Sequence, residues 1–199
     1  TASAVKNLRV LGVFTHLSSA DGDDATDRRI TEAQIKNFME AELVVKNEKD
    51  VPFYAENSAA LIKYGRFFDG ARIGIALYGV NPVSGDKTPL LPVMTFRAAV
   101  IAINTVKKGD FIGYSRGYRA KKDMRVAIIS TGYADGLPRA LSNKGMIFCN
   151  GQFLKIVGKV SMDSVAVDAG DADVKIMDEV VVFGDEIKVT DVANRADTL

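Results

Sequence analysis

Hydrophobic positions along this chain follow two rhythms. From Leu8 to Phe14 they run almost unbroken (Leu-Arg-Val-Leu-Gly-Val-Phe), the pattern of a strand buried on both faces. A polar loop rich in Asp, Ser and Gly follows from Ser18 to Asp27. Ile35, Phe38, Met39 and Leu43 then recur at helical spacing, with Thr31 and Gln34 offering a capping box and a start near Asp27 as the earlier alternative. Val51 to Ala55 predicts a second short strand. Asn57 or Ser58 is the N-cap of a short helix over Ser58–Tyr64, and Ala71 to Leu77 reads as a third buried strand. Strand and helix alternating at this pitch is the βα pattern of a parallel sheet or barrel.

The rhythm changes after Tyr78-Gly79. The stretch Asn81 to Pro92 holds three prolines with Gly85 and Asp86, which is a linker signal. Short β-branched runs follow: Phe96–Val106, Arg125–Ser130, Ile147–Phe148, Phe153–Val160, Val165–Val167 and Val180–Phe183. Lys108-Gly109-Asp110 and Asn150-Gly151 supply turns between them, the second a strong hairpin signal. Such spacing predicts a small all-β domain, barrel or sandwich. The expected class is therefore α/β followed by β, divided into residues 1–80 and 81–199. Three strand–helix steps cannot close an eight-stranded barrel, and Thr1 to Asn7 opens the chain in polar, helix-like sequence. The expectation is a chain lacking its beginning.

Composition narrows the function classes. The 199 residues carry 26 Lys+Arg against 25 Asp+Glu, a net charge of +1, without the basic excess of a dedicated nucleic-acid or acidic-lipid binder. Hydrophobic content of 47% is too high for a disordered chain. The single cysteine, Cys149, excludes an intrachain disulfide and a multi-cysteine metal site, and fits a reducing compartment. No apolar run reaches the roughly 18 residues of a membrane span, and no secretory signal opens the chain. The segment reads as cytoplasmic, with no metal, nucleic-acid or membrane contact of its own.

A few residues stand out chemically. Gly74, in Arg72-Ile73-Gly74-Ile75, lets backbone approach a ligand, and exposed N–H groups at a strand end hold phosphate. Asn57-Ser58 opens a helix on the preceding unit, where the dipole also favours an anion. A packing glycine and an ordinary N-cap satisfy the same pattern. His16 sits just past the first strand, as a site residue or a structural hydrogen-bonder. Arg72 in an apolar strand needs an acceptor, either a carboxylate or a ligand ring nitrogen. Tyr133, between glycines in Gly132-Tyr133-Ala134-Asp135-Gly136, projects into a site or covers a core edge. Gly158-Lys159-Val160-Ser161-Met162-Asp163 breaks an apolar run with polar residues, which points to a binding surface made of backbone. Cys149 has no histidine near it and reads as a buried bystander.

In order along the chain, these strings resemble the alanine racemase family of pyridoxal-phosphate enzymes. The resemblance runs through Gly12-Val13-Phe14-Thr15-His16 with Ala20-Asp21, Asn57-Ser58-Ala59-Ala60, Arg72 to Gly79 and Lys108 to Tyr114. It continues through Gly132 to Gly136, Leu141-Ser142-Asn143, Gly158 to Asp163 and Val180 to Gly184. It implies the last three strands of a (β/α)8 TIM-type barrel followed by a β domain incomplete at its C-terminus, in a homodimer with shared active sites. The implied reaction interconverts L- and D-alanine by two-base proton transfer, in the cytoplasm, supplying D-alanine for peptidoglycan. Ser58 and the amides of Gly74 and Ile75 would hold the phosphate of pyridoxal 5'-phosphate. Arg72 would hydrogen-bond its ring nitrogen, with His16 orienting Arg72. Tyr133, reaching into the partner's site, would serve one face of the substrate Cα. A phenol of pKa about 10 needs neighbouring positive charge for that, which His16, Arg72 and the cofactor would supply. The Met162 amide would bind the substrate carboxylate, Asp163 would help hold that loop, and Lys159 with Asp21 would line the mouth of the site.

This sequence departs from the family in three ways. Tyr54 stands where many members carry histidine, Lys159 stands where arginine is common, and the family's Lys-Ala-(Asn/Asp)-Ala-Tyr-Gly motif, with the lysine that forms the Schiff base, does not occur. Two other readings follow from that missing motif and from residues that set substrate choice elsewhere: a catalytically dead binding or assembly module, and a serine racemase of the same family.

Overall fold

A computed structural model of the chain describes residues 7–47 and 50–198. The polar opening Thr1 to Asn7 lies almost wholly outside the described residues. The chain forms two compact units, Thr1–Val93 and Met94–Leu199.

In the first unit, β1 (Val13–Phe14) pairs in parallel with β2 (Phe53–Tyr54), Val13 opposite Phe53. A single parallel bridge joins Tyr54 to Gly70 on the other edge of β2. Backbone bonds extend the pairing beyond both strands: Thr15 N–H to Tyr54 O at 3.1 Å, and Arg72 N–H to Glu56 O at 2.8 Å. Residues 15, 56 and 72 therefore lie side by side at the carboxyl ends of three parallel segments. Helix α1 (Ala25–Lys46) starts at Asp24, whose carboxylate accepts the Asp27 N–H, so the capping box at Thr31 is not its start. Ile35 and Phe38 bury on Phe53 and Phe68, while Leu43 is 70% exposed. Helix α2 (Ser58–Tyr64) is capped by Asn57, whose Oδ1 accepts Ala60 N–H at 2.9 Å.

Two expected strands are corrected. Leu8 to Phe14 is a strand only over its last two residues, with Leu11 72% exposed. Ala71 to Leu77 is not a buried strand: after the Gly70 bridge the chain turns at Gly74 into a 3₁₀ turn, Ile75–Tyr78. A short apolar run suits strand or helix equally, and only cover on both faces makes it a buried strand. Among the described residues nothing provides that cover, and Ile75, Leu77 and Tyr78 stand exposed.

The second unit is a closed antiparallel barrel. Its strands are β3 (Phe96–Val106), β6 (Met124–Ile129), β7 (Met146–Cys149), β8 (Gln152–Ile156), β9 (Val165–Asp168) and β10 (Glu179–Phe183), ordered β10-β3-β6-β9-β8-β7. The pair Val181 and Phe148 joins β10 to β7 and removes the last free edge. Alternating side chains fill the interior, among them Val100, Ile129, Ile147, Ile156, Val167 and Val180. Asn150 and Gly151 both take positive φ, 46° and 81°, which is what a tight two-residue hairpin turn needs. A small hairpin, β4 (Phe111–Ile112) and β5 (Tyr118–Arg119), and helix α3 (Val189–Arg195) complete the unit. No helix among the described residues is long and apolar enough to cross a membrane.

Candidate functional site

In the first unit, the predicted residues gather where the parallel segments end. Arg72 is exposed, not buried in a strand as expected, and is held by the segment after β1. Its Nη2 donates to Thr15 O at 2.6 Å and lies 3.2 Å from His16 Nδ1. A guanidinium only donates, so His16 Nδ1 is the acceptor and its ring proton sits on the other nitrogen. The Phe14 ring lies 4.7 Å beneath the guanidinium carbon, a cation–π contact that the sequence reading did not anticipate. These three neighbours hold one side of the guanidinium and leave its remaining N–H groups to point elsewhere.

Ser58, buried at the start of α2, meets the turn that follows Arg72. Its Oγ accepts from Gly74 N–H at 3.1 Å and Ala76 N–H at 3.3 Å. With both lone pairs engaged, the hydroxyl keeps one proton to donate. Gly74 N–H is therefore spent on Ser58, whereas Ile75 N–H has no partner among the described residues. Nothing lies within 4 Å of where a Cβ on Gly74 would stand, so the backbone here faces open space. A hydroxyl with a proton to donate, a free amide and a bare glycine form a cradle suited to a phosphate group, and the adjacent guanidinium suits a ring nitrogen. The residues present fit pyridoxal 5'-phosphate.

A second cluster occupies the barrel unit. β6 ends at Ile129 and the chain enters a 3₁₀ turn, Tyr133–Asp135, anchored in the core by Leu137 and Leu141, each 2% exposed. Tyr133 N–H donates to Ser161 O and Ala134 N–H to Met162 O, both at 3.0 Å. A Cβ on Gly132 would stand 2.2 Å from Met162 O, so only glycine permits this approach. The two strings singled out in sequence, 132–136 and 158–163, are thus one structural unit. The Asp163 carboxylate is exposed. The ties come from the Tyr133 and Ala134 amides and from Ser142 and Asn143. Met162 N–H has no partner among the described residues and stays available.

The positive charge beside Tyr133 within this unit is Arg139, with its guanidinium carbon 5.5 Å from the ring centroid. Sequence reasoning missed it. The signal was Pro138, which sets the 3₁₀ turn over Arg139–Leu141 and returns the chain toward Tyr133. Lys159 is half-buried and Asp21 exposed. Cys149 is 1% exposed inside the barrel, as a bystander would be.

Comparison with known proteins follows the same division. The family model for the N-terminal domain of alanine racemase matches residues 1–82, and that for its C-terminal domain matches residues 93–199. Alanine racemase from Helicobacter pylori (strain Shi470) is 37% identical, over 92% of this chain and 51% of that protein. Alanine racemase from Halothermothrix orenii is 34% identical, over 99% of this chain and 54% of that protein. The chain spans about half the length of the curated relatives it matches. Among solved structures, alanine racemase from Bartonella henselae with covalently bound pyridoxal phosphate superposes at TM-score 0.81 and 32% identity, covering 96% of this chain and 52% of that one. Alanine racemase from the D-cycloserine producer Streptomyces lavendulae gives TM-score 0.86 and 30% identity over the same shares.

Proposed function

This chain belongs to the alanine racemase family, and from that premise we propose that it is part of an isomerase that interconverts L- and D-alanine with pyridoxal 5'-phosphate. The observation that carries the reading is the meeting of Ser58, Gly74, Ile75, Arg72 and His16 at one end of three parallel segments. Residues 1–80 are read as the C-terminal part of a (β/α)8 barrel, and residues 81–199 as its β domain. The enzyme works in the cytoplasm as a homodimer with shared active sites and supplies D-alanine for peptidoglycan.

Pyridoxal phosphate, when bound, supplies an electron-withdrawing ring that makes the amino-acid Cα–H acidic. Ser58 Oγ–H and Ile75 N–H bind the phosphate. Gly74, lacking a side chain, keeps the approach open while its own amide holds Ser58 in place. Arg72 donates to the ring nitrogen and, being permanently charged, gives up no proton to it. Thr15 O, His16 Nδ1 and the Phe14 ring fix the plane of that guanidinium.

Racemisation removes a proton from one face of Cα and returns one to the other, which calls for two bases on opposite sides. Tyr133 holds or moves the proton on one face, in the partner subunit's site, with Arg139 against its ring. The second base is the family's lysine, whose motif does not occur in this sequence. The Met162 amide binds the substrate carboxylate and so orients Cα–H.

Chiral chromatography of the native protein incubated with L-alanine and pyridoxal phosphate tests the reading. Enantiomers have equal free energies, so D-alanine must accumulate to an equimolar mixture. L-alanine left unchanged by cofactor-loaded protein that includes the family's lysine overturns the assignment.

A further inference from the structure

Ser142 and Asn143, in the Leu141-Ser142-Asn143 string, hydrogen-bond the loop that carries Met162. Asn143 is half-buried with φ 61°, in the left-handed region that asparagine tolerates better than most residues. Its Oδ1 accepts Gly158 N–H at 2.7 Å, and its Nδ2 donates to Gly117 O at 3.0 Å. Ser142 Oγ accepts Val160 N–H at 3.1 Å and donates to Arg139 O at 2.5 Å. The next amide, Ser161 N–H, closes onto Ser164 O at 3.0 Å. Two amides two residues apart are gripped from one side, and the third in that series, Met162 N–H, is left open.

The carbonyl side of the loop is fixed as well. Ser161 O accepts from Tyr133 N–H at 3.0 Å, and every described peptide bond is trans. In a trans peptide, C=O and N–H point in opposite directions. The bond to Tyr133 therefore turns the Met162 N–H away from the Tyr133 backbone. Asn143 and Ser142 hold the loop at the height where this can happen. Asn143 also ties in Gly117, beyond the turn at Ser115 and Arg116, two successive residues with φ 55° and 56°.

We propose that Asn143, with Ser142, is the positioning residue that sets the Met162 amide for a substrate carboxylate. This rests on the racemase reading above and touches neither cofactor nor Cα. An asparagine here grips two backbone segments with one planar amide. Aspartate retains the grip on Gly158 and loses the one on Gly117, and glycine retains the backbone conformation and loses both.

The experiment compares Asn143→Gly, Asn143→Asp and Ser142→Ala in the native protein loaded with pyridoxal phosphate. It reads KM and kcat for L-alanine, cofactor affinity by absorbance, and amide hydrogen exchange over residues 158–163. Loss of both grips in Asn143→Gly is expected to raise KM about tenfold. Exchange at 158 and 160 speeds up, with kcat and cofactor affinity within about twofold of the parent. Asn143→Asp recovers most of the KM, a rescue that general loosening of the barrel does not give. Ser142→Ala shows a smaller rise, and it decides the matter if the glycine variant does not fold. Unchanged KM, or cofactor affinity and kcat falling together with no effect on KM, overturns the proposal. A wild-type protein that does not racemise alanine brings down the underlying reading. A racemising wild type whose variants keep their KM brings down only the role of Asn143.

Discussion

Tyr133 donates its backbone N–H to the carbonyl of Ser161 at 3.0 Å. That one bond joins two turns separated along the chain by two barrel strands, β7 and β8. It ties the position of a phenol to the orientation of the amide at Met162. On the proposed reading, the side chain offered to one face of Cα and the backbone donor offered to the carboxylate would be set in register by this one contact. This economy explains why both strings stand out from the apolar runs around them.

Gly132 should be the least replaceable residue of this pair of turns. A Cβ there meets Met162 O at 2.2 Å and Ser161 O at 2.4 Å, and neither carbonyl can move without losing its bond to Tyr133 or Ala134. Gly132→Ala is expected to destabilise the protein by about 1–3 kcal/mol. Gly136, at φ 101° with nothing within 4 Å of a Cβ, makes the control: Gly136→Ala carries only the backbone cost of roughly 1 kcal/mol. Urea midpoints of the two variants check the order.

Arg72 is predicted to be irreplaceable by lysine. The lysine ammonium is a point charge that cannot hold Thr15 O and His16 Nδ1 while presenting a flat donor face elsewhere. Arg72→Lys should weaken pyridoxal phosphate binding about tenfold, read by absorbance titration. Equal affinity in the two proteins would show that the guanidinium does not contact the cofactor.

Cys149 should be inert toward thiol reagents in the folded protein. Burial pushes its thiol pKa up, with the negative charge of Asp178 adding to the effect. At a given pH its thiolate fraction is lower than that of an exposed cysteine, whose pKa is about 8.5, and the barrel also shields the sulfur. Iodoacetamide at pH 8.5 is expected to leave the native protein unlabelled and to label it after urea denaturation. Rapid labelling without denaturant would contradict the barrel packing around β7.

How much of this was legible in the sequence differs between the two units. The barrel strands follow β-branched runs closely, Phe96–Val106 without a residue's difference, because a closed sheet buries one face of every strand and stamps its period on the chain. In the first unit, α2 and its Asn57 cap were readable from local chemistry alone. Leu8 to Phe14 and Ala71 to Leu77 were not, because their apolar residues report cover by other segments and not the local backbone. Arg72 looked buried for the same reason and is exposed. The site residues themselves were visible as strings, but their pairings were not. That Tyr133 meets Ser161, that Arg139 meets Tyr133 and that Phe14 lies under Arg72 are contacts across the fold, which spacing does not encode.

The central claim is that Tyr133 serves one face of Cα and leaves the other to a different base. Replacing Tyr133 with phenylalanine removes the proton-carrying oxygen and keeps the ring that packs against Arg139. Deuterium exchange at Cα of L- and of D-alanine in D2O, followed by NMR with the native protein and with Tyr133→Phe, tests this most directly. The account predicts exchange of both enantiomers by the native protein. The variant should exchange only one enantiomer, with the other slowed by about 100-fold or more. Undiminished exchange of both by Tyr133→Phe would contradict it.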